Sequence, residues 1–305
     1  MRMGMILPLL CIAAPVIAQD AQPAAPPEPD PEMLAFADAE TRMTVPVRIA
    51  EAGPYPFIVD TGAQRTVISR QLAVKLGLPA GRTVRVTSMS GTSDVGTVRI
   101  PSLSISPISR RGIEAPALED HHLGASGLLG IDSLQDHAVS IDFDARTMAV
   151  WPSRKRSSRE KSDADEIVIR AKNLFGQLVV TDARYRSHRV RIILDTGSAV
   201  SMGNQALRRA VMRGNMAVRR VEMTSATGGI VQADSTALDR IMIGDVGIKD
   251  MPIVFADAAP FRVFGLTDKP AIMLGMDAMK LFRRVDIDFA NRQLRLALPA
   301  DGVRR

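Results

Sequence analysis

Two stretches of this chain repeat each other: FIVDTGAQRT at residues 57–66 and RIILDTGSAVS at 191–201. Each is an apolar run that delivers Asp-Thr-Gly, as Asp60-Thr61-Gly62 and as Asp195-Thr196-Gly197. A small residue follows each glycine, Ala63 and Ser198, and a hydroxyl stands six positions beyond each aspartate, Thr66 and Ser201. A single Asp-Gly signal at a strand end reads as a turn, because both residues suit turns. Two with matching flanks point instead to a duplicated unit.

The match continues downstream. SGLLGIDSL (126–134) follows the first aspartate and IMLGMDAMK (272–280) the second, each an apolar-apolar-Gly-apolar-Asp string centred on Gly130 or Gly275. VSIDFDARTMAV (139–150) and VDIDFANRQLRLAL (285–298) then each read as two strands joined by a tight polar turn. The interval from aspartate to glycine is 70 residues in the first copy and 80 in the second, a difference that loop insertions absorb.

Within each copy short strands dominate. VPVRIA (45–50) and YPFIV (55–59) carry β-branched and aromatic residues between turn formers. Residues 83–100 read as a hairpin with Ser90, Gly91 and Thr92 at its tip, and 219–243 as its counterpart with Thr227, Gly228 and Gly229 at the matching place. One early helix per copy is predicted, over 69–78 and 204–213. The fold class is mainly β.

The ends and the middle have a different composition. Residues 1–18 combine Arg2, an apolar segment from Ile6 to Ala18 and small residues before Gln19, the pattern of a secretory signal. Its thirteen apolar-segment residues fall short of the roughly twenty that span a bilayer. Export to the periplasm or outside the cell is therefore expected, without stable membrane insertion once the signal is cut; a retained anchor is the alternative. Cys11, the only cysteine, would leave with the signal, so disulfides and thiol chemistry fall away and core burial alone must stabilise the mature chain. Residues 19–39 are Pro-rich and acidic and read as a tether. Residues 152–166 are almost wholly polar and read as a linker. The lobes then cover 40–151 and 167–299, with a tail at 300–305.

Several functions are disfavoured. A net charge of +6, from scattered basic residues without aromatic platforms, gives no sign of nucleic-acid binding. The four histidines form no HExxH, His121-His122 reads as a loop pair, and no G-x-S-x-G elbow is present.

The pairing of Asp-Thr-Gly with a later apolar-apolar-Gly resembles the aspartic peptidases, retropepsin-like more than pepsin-like. The resemblance covers about 40–151 and 167–299. It implies two homologous β-barrel lobes related by a pseudo-twofold axis, with Asp60 and Asp195 facing each other as the catalytic pair and neither metal nor cofactor required. It also implies that Thr61 and Thr196 hydrogen-bond across the interface. Gly62 and Gly197 would permit sharp turns, and Gly130 and Gly275 close backbone packing behind the loops. The hairpins at 87–95 and 224–231 are the candidate flaps. A pepsin-type flap tyrosine is missing, since Tyr55 and Tyr185 lie outside both hairpins. Asp132 and Asp277 are expected to have turn or helix-start roles. The implied activity is endopeptidase, acting on protein or peptide held as a strand. The rival class is a catalytically silent bilobal peptide-binding or scaffold module. The lobes are expected to pair within one chain, although the linker also permits a swapped dimer.

Overall fold

The computed structural model of the chain describes residues 32–35, 37–39, 42–105, 108–153, 166–174, 177–212 and 217–299. The predicted signal, most of the tether, the linker apart from its ends, and the tail lie outside the described residues. Among the described residues no helix is long and apolar enough to cross a membrane.

The first copy opens with β1 (Glu32–Ala35), β2 (Ala37–Ala39), β3 (Arg42–Ile49), β4 (Ala52–Val59), β5 (Val67–Ser69) and α1 (Arg70–Lys75). It continues through β6 (Ala80–Ser88), β7 (Gly91–Ile105), β8 (Ile108–Leu118), α2 (Asp120–Leu123), β9 (Gly127–Leu129), α3 (Ile131–Leu134), β10 (His137–Asp142) and β11 (Thr147–Pro152). The second opens with β12 (Glu166–Leu174), β13 (Gln177–Tyr185), β14 (His188–Leu194), β15 (Met202–Gly203) and α4 (Gln205–Val211). It continues through β16 (Arg219–Thr224), β17 (Ile230–Ile243), β18 (Val246–Phe255), α5 (Ala259–Val263), β19 (Ala271–Leu274), α6 (Met276–Met279), β20 (Arg284–Asp288) and β21 (Gln293–Ala297).

The duplication is visible in the strand order. One lobe runs β3-β4-β9-β5-β8-β7-β6 and the other β13-β14-β19-β15-β18-β17-β16, the same sequence advanced by ten. An extra pairing in each, β3 with β7 and β13 with β17, closes the lobe on itself. The fold is thus mainly β, with two barrel-like lobes.

Between the lobes runs a shared sheet in the order β1-β11-β10-β20-β21-β12. Its centre is the antiparallel pair of β10 and β20, with Val139 opposite Ile287 and Ile141 opposite Val285. All four of these side chains are buried in a core cluster that draws residues from both lobes. The two late hairpins expected from sequence are therefore also what joins the copies.

Three details differ from the sequence reading. Glu32–Ala35 and Ala37–Ala39 belong to strands, paired with β11 and β3, so the segment read as a tether ends earlier than residue 39. Backbone pairing to an existing sheet edge asks little apolar burial of the added strand, which is why composition did not show it. The expected early helices are α1 and α4; among the described residues each copy holds two more, because α2, α3, α5 and α6 are too short for a helical period to register. His121-His122 accordingly sits on α2 and not on a loop.

Candidate active site

In each lobe the apolar-apolar-Gly strand is inserted between the two strands that flank Asp-Thr-Gly. β9 runs parallel to β4, with Val59 opposite Leu129, and antiparallel to β5. β19 does the same between β14 and β15. The aspartates leave the ends of β4 and β14 with their amides on the last carbonyls of the inserted strands, Asp60 on Leu129 and Asp195 on Leu274, both at 3.0 Å. The chain then wraps over the inserted strand: Ile131 N donates to Ala63 O and Met276 N to Ser198 O, both at 2.9 Å. Gly130 and Gly275 sit at this crossing. A methyl group on Gly130 would stand 2.6 Å from the Arg65 carbonyl oxygen, and one on Gly275 2.6 Å from that of Val200.

The structure brings Asp60 and Asp195 side by side, close enough that the charge of Asp60 acts on Asp195. Each also lies against the other loop's glycine: a methyl on Gly62 would stand 2.6 Å from Asp195 Oδ1, and one on Gly197 would collide with the Asp60 carboxylate. The Gly62 and Ala63 amides donate to Asp60 Oδ1 at 2.8 and 2.9 Å. The Gly197 and Ser198 amides act on the Asp195 carboxyl in the direction that favours its charged form.

Behind the pair the threonines cross. Thr61 N donates to Thr196 Oγ1 at 3.0 Å and Thr196 N to Thr61 Oγ1 at 3.1 Å. Each hydroxyl donates onward into the opposite lobe, Thr61 to Leu194 O at 2.9 Å and Thr196 to Val59 O at 2.6 Å. Both side chains are buried, so all four bonds are sheltered from competing water.

The electrostatics follow from crowding two acids in a desolvated place. Burial raises the pKa of Asp60, against the two loop amides and the positive field of Arg42. Burial and the charge of Asp60 push Asp195 up to about 8. Two adjacent carboxylates resist double ionisation, which is why the charge of Asp60 raises Asp195. Such a pair can take a proton from a water with one oxygen while donating a proton with the other.

The hairpins meet above the pair. The first turns at Met89-Ser90, with Ser88 opposite Gly91, one residue earlier than the predicted tip; Gly91, with φ +142°, and Thr92 already belong to β7. The second turns through Ser225–Gly229, holding Thr227, Gly228 and Gly229 as expected. The tips touch through hydroxyls, Ser88 Oγ to Thr227 Oγ1 at 2.7 Å and Ser90 Oγ to Ser225 Oγ at 2.8 Å. Each tip also leans on the opposite lobe: Met89 packs on an apolar cluster of the second lobe and Ala226 on one of the first. Beneath them lies a cavity of about 420 Å³ lined by both aspartates and both hairpins.

Asp132 and Asp277 have more than the expected helix-start role, and two further residues gained no role from sequence. Asp132 accepts from the Thr66 amide and hydroxyl at 2.9 and 2.7 Å, and Asp277 from those of Ser201 at 3.0 and 2.6 Å. They open α3 and α6, but their carboxylates brace the active loops. The signal was present, since the aspartates and the distant hydroxyls recur together. The two without a role from sequence are Arg42 and Gln177. Val45 pairs with Phe57 and Val180 with Ile192, each three residues before an aspartate, so Arg42 and Gln177 hold corresponding places. Arg42 lines the cavity, while Gln177 is buried with Nε2 on the Gly62 carbonyl. Their equivalence needs the strand register, which the sequence does not display.

A family model described as Aspartyl protease matches the chain twice, at residues 45–133 and 181–278. A comparison with curated proteins finds no match. The two matched spans make up more than half of the chain and each contains one Asp-Thr-Gly loop and one inserted strand, so this chain belongs to the retropepsin-like aspartyl protease family and carries two copies of the family's lobe.

Proposed function

We propose that the chain is an exported aspartic endopeptidase that hydrolyses peptide bonds with a water activated between Asp60 and Asp195. The observation that carries this reading is the reciprocal contact of the two loops, which holds the two carboxyls side by side in a cleft lined by both hairpins. The ionised carboxylate removes a proton from the water as its oxygen attacks the substrate carbonyl carbon. The protonated partner gives its proton to the carbonyl oxygen, so the tetrahedral intermediate forms uncharged. Collapse breaks the C–N bond, with a proton delivered to the leaving nitrogen, and the pair returns to its singly protonated state. No fixed acid or base is assigned, because the pair titrates as a unit.

The substrate is an extended protein segment lying as a strand beneath the hairpins. Entry requires the tip contacts, Ser88 with Thr227 and Ser90 with Ser225, to part. The lobes pair within one chain, and residues 1–18 direct export.

The test incubates the purified 19–305 chain with unfolded protein across pH. Cleavage into peptides is expected. Tight peptide binding without cleavage at any pH would replace this reading with the silent binding module.

A further inference from the structure

The cleft is made from two copies of one strand pattern, yet its walls differ in charge. At corresponding places stand a cation and a neutral amide. Gln177 is folded beneath the Gly62 loop and takes no part in lining the cavity, whereas Arg42 does line it. Arg42 Nη2 donates to Leu123 O at 2.7 Å. Among the described residues no carboxylate lies within ion-pair distance of its guanidinium. Glu119, which precedes α2, pairs with Arg70 at 2.7 Å. The short helices repeat the asymmetry. α2 brings His121 and His122 to the cavity, while α5 brings Pro260. Met223 and Met273 of the second lobe, with Met89 from the first hairpin, add apolar surface to the second wall, beside the uncharged Ser198 and Thr224.

We infer that Arg42 is a specificity-determining residue, which binds a carboxylate side chain of the substrate on the first-lobe wall while the second-lobe wall takes an apolar side chain. A guanidinium has five N–H donors in a planar fork, of which the Leu123 carbonyl engages one group. The remaining donors match a carboxylate, and partial burial strengthens the charge-assisted bonds they would form. The carboxyl pair below lies within the field of Arg42 but makes no ion pair with it, so it does not fill that fork. This inference rests on the endopeptidase reading and names the substrate class of the same site.

The experiment measures kcat/KM on quenched peptides that differ only by Glu or Gln. The exchange is made at each place from the third before to the third after the cleaved bond. Each enzyme is assayed at its own pH optimum, since losing Arg42 also alters the field at the pair. Wild-type enzyme is expected to prefer Glu about tenfold at one place. Arg42→Gln, which copies the second lobe's residue, should erase that ratio, and Arg42→Glu should transfer the preference to Lys. Should Arg42→Gln fail to fold, Arg42→Lys keeps the charge without the fork and should reduce the ratio. A wild-type ratio near one at every place, or a preference that persists in Arg42→Gln, overturns the inference and leaves the endopeptidase reading standing. If wild type cleaves no peptide, that reading fails. Fluorescence anisotropy with the same peptide pairs then decides: tighter Glu binding that is lost in Arg42→Gln supports Arg42, and equal affinities overturn it.

Discussion

Gly62 lies against the carboxylate of Asp195, with no room between them for a methyl group. Gly197 stands in the same relation to Asp60. The glycines are needed here because the opposing aspartate occupies the space a Cβ would take. Gly197→Ala should displace Asp60 and cost about 1–3 kcal/mol of stability, typical of overpacking. Activity should fall on the order of a hundredfold, the scale of a misplaced catalytic group. Gly96→Ala, at a position with nothing within 4 Å, should change neither by much. Thermal melting and peptide cleavage on the same preparations check both.

The threonine crossing gives a second expectation. Thr61→Val removes the hydroxyl that donates to Leu194 O and accepts from Thr196 N. Two buried backbone groups would lose their partner, at about 1–3 kcal/mol each. Urea unfolding should show a loss of about 2–5 kcal/mol, whereas Thr61→Ser, which keeps the hydroxyl, should lie within about 1 kcal/mol of wild type.

Much of this was legible in the chain because a duplication supplies its own control. The strands before Asp60 and Asp195, the inserted strands at Gly130 and Gly275, and the hairpins recur at matching places, and recurrence separates a site from a turn. What stayed hidden depends on pairing between distant strands. That β10 meets β20 is a contact between copies, and no local pattern encodes it. The equivalence of Arg42 and Gln177 follows from hairpin register, and their residue types differ. β1 was hidden by its Pro-rich, acidic surroundings, although it pairs with β11.

The pH dependence of stability has a definite sign. Asp195 is raised from 3.8 to about 8, so between these values the folded state binds more protons than the unfolded one. Its contribution favours folding at the acid end and is lost as pH rises from about 4 to about 8; Asp60 shifts in the same direction. The melting temperature should therefore fall across that window. In Asp195→Asn the fall should be smaller by at least about 4 °C. An unchanged slope would contradict the raised pKa.

The hairpin tips offer a mechanical test. Ser88 and Thr227 hydroxyls stand 2.7 Å apart, a spacing that places their Cβ atoms near disulfide range. The 19–305 chain has no other cysteine. Ser88→Cys with Thr227→Cys should lose at least about 90% of its cleavage when oxidised and recover it with reductant, because a closed gate blocks entry. Equal activity in both redox states would show that substrate need not pass between the tips.

The central claim is that Asp60 and Asp195 act as one unit. The most direct measurement compares kcat/KM for wild type, Asp60→Asn, Asp195→Asn and the double variant. Residues acting as a unit are strongly non-additive. Each single change should cost at least about a thousandfold, and the double variant should lose no more than either single. Cleavage that survives one substitution, or losses that simply add in the double variant, would contradict the shared pair.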